Sequence, residues 1–413
     1  MGKYAKLTRR EVLQQAATAG VAGWLGGVGT WTPAQADLIR SENEKPGTTS
    51  WILENTRVDP ATKYRCPWIE GYVSHTSIRA GEKLTIFVST NPPSPFLIDI
   101  YRLGYYGGKG GRHLLRLGPF KGVVQPEPAI GVERLRECQW EPCTTLTIPK
   151  DWPSGVYLGK LTAEREKLQS YIVFIVRDDR RCDFLFQCSD TTWCAYNRWP
   201  SQWSLYDDGK KVWYWGPNVR VSFSRPYGKY CQILNAPLSQ GSGEFLLWEF
   251  PLAYWMEKEG YDVSYISNTD THRDPQGLLR AKAFLSVGHD EYWSLEMFRN
   301  VETAIQKGLN VAFLSGNTCY GRIEFYPDAQ GTPLRAFARV GVFGPLSEND
   351  YKGFPEMKRF KYTEPDARFL MGAASVWPVT GGADWICVNE KHWLFEGTGM
   401  KNGDAIPGLV GWE

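Results

Sequence analysis

His289, Asp290 and Glu291 stand in a row within Gly288-His289-Asp290-Glu291-Tyr292-Trp293, directly after the apolar or small residues 284–287. An imidazole and two carboxylates at one turn are groups that hold protons or metal ions near neutral pH. Carboxylate and phenol oxygens are hard donors, so a site of Glu and Tyr favours a highly charged ion such as Fe(III) over zinc. A hydrogen-bonded turn in which His289 caps a neighbour is the plainer reading, and spacing alone does not separate the two. A hydrolytic nucleophile at the tip of such a turn is a third reading, but no Ser or Cys stands there and no Gly-x-Ser-x-Gly occurs. Cys194 and Cys319 are the thiols of that region, with His272, His289 and the remote His392 as bases.

These residues need a rim to sit on. From Cys182 onward the pattern alternates strand and helix: strands at 183–188, 263–266, within 279–287 and at 311–315, helices at 245–259 and 294–307. Gly260 and Gly308 follow the two helices, and Ser294 opens the second. This predicts a mainly parallel sheet covered by helices, with ligands beyond the carboxyl ends of its strands. The segments 189–197, 289–291 and 315–318 all follow strands and so fall on one rim. Residues 50–178 differ. Short alternating runs at 83–89, 97–101, 144–148, 155–161 and 170–177, broken by Pro, Gly and Asn, predict an antiparallel β-sandwich. Residues 102–108 are expected to run from a strand end into a flexible loop. The expected class is thus multidomain α+β: a leader over 1–36, a linker over 37–49, a sandwich over 50–178 and an α/β domain over 182–413.

Six motifs of the second half belong together. Thr192-Trp193-Cys194-Ala195-Tyr196-Asn197, Ser204-Leu205-Tyr206-Asp207, Ser222-Phe223-Ser224-Arg225-Pro226-Tyr227, Gly260-Tyr261-Asp262-Val263-Ser264-Tyr265, the Gly288–Ser294 turn and Ser315-Gly316-Asn317 resemble the successive motifs of the N,N-dimethylformamidase large-subunit family. Upstream, Tyr101-Arg102-Leu103-Gly104-Tyr105-Tyr106-Gly107-Gly108 resembles the β-domain that precedes them. The resemblance implies a catalytic domain like class I glutamine amidotransferases without their cysteine, and one mononuclear non-haem iron held by two tyrosines and a glutamate. The glutamate falls on Glu291 and the tyrosines on Tyr196 and Tyr206, with Tyr227 as rival for the second. A histidine and an asparagine near the iron fall on His289 and Asn317, and a late glutamate, the general base, on Glu413. The segment between Tyr196 and Tyr206 is much shorter than in the amidase proper, which implies a different substrate channel. The domain is expected to continue beyond Glu413.

Thr8-Arg9-Arg10-Glu11-Val12-Leu13, the weakly apolar residues 16–31 and Ala34-Gln35-Ala36 have the layout of a cleaved twin-arginine export signal. The expected location is therefore periplasmic or secreted, with no membrane association after cleavage. The leader carries Lys3, Lys6, Arg9 and Arg10 against Glu11. Removing that net +3 from the chain's +2 leaves about −1, which argues against a nucleic-acid partner. The nine cysteines include no Cys-x-x-Cys pair, and Cys138 with Cys143 could close a loop. The leading expectation is an exported iron-dependent hydrolase of a C–N amide bond in a linear small molecule. A second copy or a small partner subunit is compatible with it. The alternative is a secreted glycan-binding or structural protein whose α/β domain is catalytically silent, since 18 Trp and 21 Tyr can build stacking surfaces.

Overall fold

The computed structural model describes residues 37–232, 234–373 and 383–410. The expected leader and Glu413 lie outside them. The chain is a mixed α+β structure with several sheets, some antiparallel and some parallel.

A short helix, α1 (Leu38–Asn43), precedes eight strands: β1 (Glu70–Val73), β2 (Ser77–Arg79), β3 (Lys83–Ser89), β4 (Phe96–Leu103), β5 (Gly111–Phe120), β6 (Thr144–Thr147), β7 (Gly155–Ala163) and β8 (Gln169–Arg177). One sheet has the order β2-β8-β7-β4-β5 and the other β1-β3-β6. All pairings are antiparallel except β2 with β8. The side-chain period of two explains the packing. Phe96, Ile98 and Ile100 of β4 face Leu84, Ile86 and Val88 of β3 across the sandwich core. In β8, Ile172, Phe174 and Val176 join that core, while Tyr171, Val173 and Ile175 point into a second one shared with the downstream half. The strand is buried on both faces, so its sequence is apolar almost without interruption.

Downstream follow β9 (Cys182–Cys188), α2 (Asp190–Tyr196), β10 (Arg220–Ser222), α3 (Phe250–Lys258), β11 (Val263–Ser267), α4 (Asn268–Arg273), β12 (Ala281–Gly288), β13 (Tyr292–Ser294), α5 (Leu295–Gln306), β14 (Asn310–Ser315), β15 (Gly321–Tyr326) and β16 (Ala336–Val342). Strands β11-β9-β12-β14 form a parallel sheet in that order. Ser294 caps α5 by accepting from Met297 N, and Met297, Phe298, Val301 and Ala304 bury one stripe of that helix on the sheet. The other face packs against α3 and the inner sheet of the sandwich. A second sheet, β10-β16-β15-β13, was not foreseen. It stands beside the strand rim and carries an aromatic core that includes Tyr196, Tyr206, Trp215 and Tyr292. Ala383–Ile386 pairs antiparallel with Ala405–Val410 as a separate ribbon.

Two expectations are corrected here. Residues 102–108 are not an open loop. Arg102 and Tyr106 are buried, and the guanidinium of Arg102 forms a two-pronged ion pair with Glu257 of α3 (2.8 and 3.0 Å). Cys138 and Cys143 are not paired, and all nine cysteines are free thiols. Cys138 sits in an aromatic cluster with Tyr72, Trp140 and Trp199 instead.

Candidate active site

The turn after β12 is built before it is functional. Gly288 has φ of +80°, and a Cβ there would lie 2.6 Å from Glu249 Cγ, so the chain needs a residue without one. The carboxylate of Asp290 then ties strand ends together. It accepts from Gln187 Nε2 (2.6 Å), Ser286 Oγ (2.7 Å) and Asn268 Nδ2 (2.7 Å), while its backbone N–H donates to Ser315 Oγ (2.7 Å). Every strand of the parallel sheet contributes to that knot or borders it. In register, Gly288 pairs with Ser315 and Ser267 with Cys188, so the three polar segments expected on one rim do share it. Asp290 is thus an anchor, and Glu291 is the group it positions. The N–H of Glu291 donates to Thr192 Oγ1 (3.0 Å), and its carbonyl accepts from Gly321 N (2.9 Å).

Around the Glu291 carboxylate three phenols converge. Tyr196, at the end of α2, donates to Oε2 at 2.7 Å. The Tyr206 hydroxyl lies 3.1 Å from each carboxylate oxygen and 2.5 Å from the Tyr196 hydroxyl. Tyr292 hydrogen-bonds the Tyr206 hydroxyl in turn and accepts from Arg339 Nη1 at 2.9 Å. Arg339, fully buried, stacks on Trp215 with 3.9 Å to the ring centre. Burial first, then the charge of Glu291, holds the phenols of Tyr206 and Tyr292 well above the ordinary tyrosine range. A cation at this point would reverse that balance and favour phenolate.

His289 lies over the same carboxylate. Its Nε2 is 3.2 Å from Glu291 Oε2 without the alignment of a hydrogen bond, and its Nδ1 is 3.8 Å from Glu244 Oε2. Burial disfavours the charged ring, but Glu244 and Glu291 outweigh it and push the pKa up to about 10. Glu244 is itself buried, and neither of its oxygens has a hydrogen-bond partner among the described residues. Burial raises its pKa. A narrow cleft of about 20 Å³ connects Glu244, Trp193 and Tyr227 with Tyr196 and Tyr206. Asn317 follows β14, beside the turn: Gly316 N donates to Gly288 O and Cys319 N to Asp290 O.

The structure therefore brings together Tyr196, Tyr206, Glu291 and His289, with Asn317 on the adjoining segment. Tyr227 stands apart. Its hydroxyl is buried without a partner among the described residues and does not join the Glu291 cluster. Cys194 and Cys319 are fully buried with thiols raised by burial, Cys194 to about 12, which suits inert packing rather than attack. Sequence reasoning missed Tyr292, Arg339 and Glu244. Tyr292 is the neighbour of Glu291 in the chain. Glu244 follows Gly241-Ser242-Gly243, whose glycines have φ of +91° and +61° and mark a constrained turn.

The donor set fits a hard cation. Among the described residues no group of three His, Cys, Asp or Glu could hold a metal, and at Glu291 the further oxygen donors at hand are the phenols. Ligand oxygens at right angles around a small ion, with bonds of about 2.0 Å, stand roughly 2.8 Å apart. The oxygens of Tyr196, Tyr206 and Glu291 are separated by 2.5 to 3.1 Å. Hydrogen bonds share that spacing, so the geometry is compatible with a protonated cluster as well. The family model described as N,N-dimethylformamidase beta subunit-like, C-terminal, matches residues 97–413. Its match begins within the sandwich, at β4, and takes in the whole cluster. No curated protein matches the chain.

Proposed function

Because the chain belongs to the N,N-dimethylformamidase beta subunit-like family, we propose that it hydrolyses the C–N bond of a small amide at a centre where Tyr196, Tyr206 and Glu291 hold one non-haem Fe(III). The observation that carries this reading is the convergence of two phenol oxygens on both oxygens of one buried carboxylate. Bound there, the ion would supply Lewis acidity toward a carbonyl oxygen and lower the pKa of water. The protein's own share is positioning and proton movement. Tyr292, gripped by Arg339, fixes the Tyr206 hydroxyl from behind. His289, between Glu244 and Glu291, is read as the group that carries a proton to or from the reacting centre. Glu244 favours its charged form. Asn317 is read as the donor to the developing oxyanion. Glu413, implied by the family resemblance as base, completes the set.

The same reading extends to address and assembly. The leader would send the chain to the periplasm by the twin-arginine route, which carries proteins already folded. Nine free thiols suit folding in a reducing compartment first. A small partner subunit is compatible with a family defined by a beta subunit.

Metal content and visible absorption of the purified protein test the proposal. Phenolate on Fe(III) absorbs in the visible, which carboxylate and imidazole ligands do not cause. Tyr196→Phe and Tyr206→Phe should each weaken or shift the band, Glu291→Ala should release the metal, and Tyr227→Phe should leave the band nearly unchanged. An iron-free, colourless protein that hydrolyses amides would end the iron reading. A band lost on Tyr227→Phe and kept on Tyr206→Phe would move the second ligand.

A further inference from the structure

A cleft of about 470 Å³, far roomier than the one over the tyrosines, opens where the sandwich meets the α4–β12 connection. Its walls are strongly polar and unevenly charged. Arg79, Lys83, Arg177, Arg273 and Arg280 face it, against the carboxylates of Glu82, Asp270 and Asp274.

The carboxylates are already committed. Asp270 takes Arg177 Nε at 3.0 Å, Arg273 Nη2 at 2.5 Å and the N–H of Ser267 at 3.0 Å. Asp274 accepts from Gly277 N (2.9 Å), and Glu82 from Arg79 N (2.9 Å). The Arg79 guanidinium is held by both oxygens of Asp179, just outside the lining (2.8 and 3.0 Å). Arg280 is different. Its Nε and Nη2 are buried with no acceptor among the described residues, and Lys83 lies exposed at the rim. A guanidinium presents a planar fork of donors, and a buried donor left unmet is costly. Burial presses the pKa of Arg177 down against the pull of Asp270, and Arg273 and Arg79 add to the pressure. The cluster thus holds more positive charge than its acids neutralise.

We propose that this cleft binds a small organic oxyanion, with the side chains of Arg280, Lys83 and Arg177 that line it supplying the positive charge. Its room suits a metabolite-sized molecule rather than a single water. Phosphate and carboxylate groups share the chemistry that a guanidinium fork recognises. The proposal stands independently of the amide-hydrolase reading, because none of these residues belongs to the tyrosine cluster.

Titration calorimetry on the full chain tests it, with glycerol phosphate, inorganic phosphate and citrate as probes and potassium chloride at matched ionic strength as control. At least one probe should bind saturably. Arg280→Ala should weaken it by about tenfold or more, and Arg280→Lys, which keeps the charge but not the fork, by less. Lys83→Ala, a change at an exposed side chain, should weaken it several-fold and guards against misfolding of the Arg280 variants. Binding of the phosphates alone would assign a phosphate ligand, and binding of citrate alone a carboxylate. Heat signals matched by chloride, equal affinity in wild type and Arg280→Ala, or no binding of any probe would overturn the proposal.

Discussion

Replacing Arg102 with Met tests how the two halves of the chain are joined. The side chains of Arg102 and Glu257 are both fully buried, and they meet through two parallel contacts of 2.8 and 3.0 Å. Arg102 also donates to the carbonyl of Ser154 (2.9 Å) and to Tyr106 (3.0 Å). Without the guanidinium, Glu257 keeps only neutral donors, Tyr265 at 2.9 Å and Asn43 at 2.8 Å. A carboxylate stranded in that interior should cost about 3–5 kcal/mol, far more than the methionine regains by packing. Removing both charges, as in Arg102→Met with Glu257→Met, should recover most or all of that loss, because desolvating an ion pair is itself expensive. Urea unfolding followed by tryptophan fluorescence reads both values. A cost below about 1 kcal/mol for Arg102→Met would refute the reasoning. So would a double variant as unstable as the sum of the single ones.

Three further outcomes are expected. A Cβ on Gly321 would lie 2.5 Å from the Tyr292 ring, so Gly321→Ala should displace that phenol and lower turnover while the secondary structure, read by circular dichroism, persists. Asp190 is buried, and that burial, outweighing the bond from Asn268 N, pushes its carboxyl up from 3.8 to about 7. The native state then holds a proton that the unfolded chain releases, so this group's contribution is whole below 3.8 and is lost as pH rises to about 7. Asp190→Asn should flatten that slope and be the more stable protein above it, as unfolding measured across the window will show. Replacing both Arg9 and Arg10 with Lys should leave the protein in the cytoplasm with its leader attached; periplasmic maturation of that variant in cell fractions would count against the export reading.

Much of this architecture is legible in the chain because burial imposes periods. Residues 97–101 and 170–177 read as strands since their apolar faces alternate or fill both sides, within the observed Phe96–Leu103 and Gln169–Arg177, and the stripe of α5 repeats at helical spacing. The common rim follows from strand–helix alternation alone. Other features depend on pairing between distant residues, which no local period records. Tyr292 belongs to a sheet completed by residues 321–342 and 220–222. Tyr206 lies ten positions beyond Tyr196, no helical interval, and meets it because the chain doubles back, with Leu205 N donating to Ala195 O. Its place in the cluster was suggested by family resemblance rather than by spacing. Strand β5 escaped notice because His113 and Arg116 stand on one face and Arg112 on the other, a bulge shifts its register near Leu114, and Gly118-Pro119 interrupts it.

The two kinds of donor around the cluster are mounted very differently. Glu291 rides on a turn knotted to the ends of the parallel strands through Asp290. Tyr206 hangs on residues 197–219, a stretch with neither helix nor strand of its own, and that same stretch supplies Trp213 and Arg198 to the mouth of the narrow cleft. Inheritance would therefore act unevenly on this protein. Changes of length within 197–219 can reshape what enters without loosening the carboxylate, whereas a single altered residue in the knot displaces the carboxylate on which the phenols converge. Relatives that diverge in what they accept should differ first in that stretch, and an engineer seeking new selectivity should build libraries there and leave the strand ends alone.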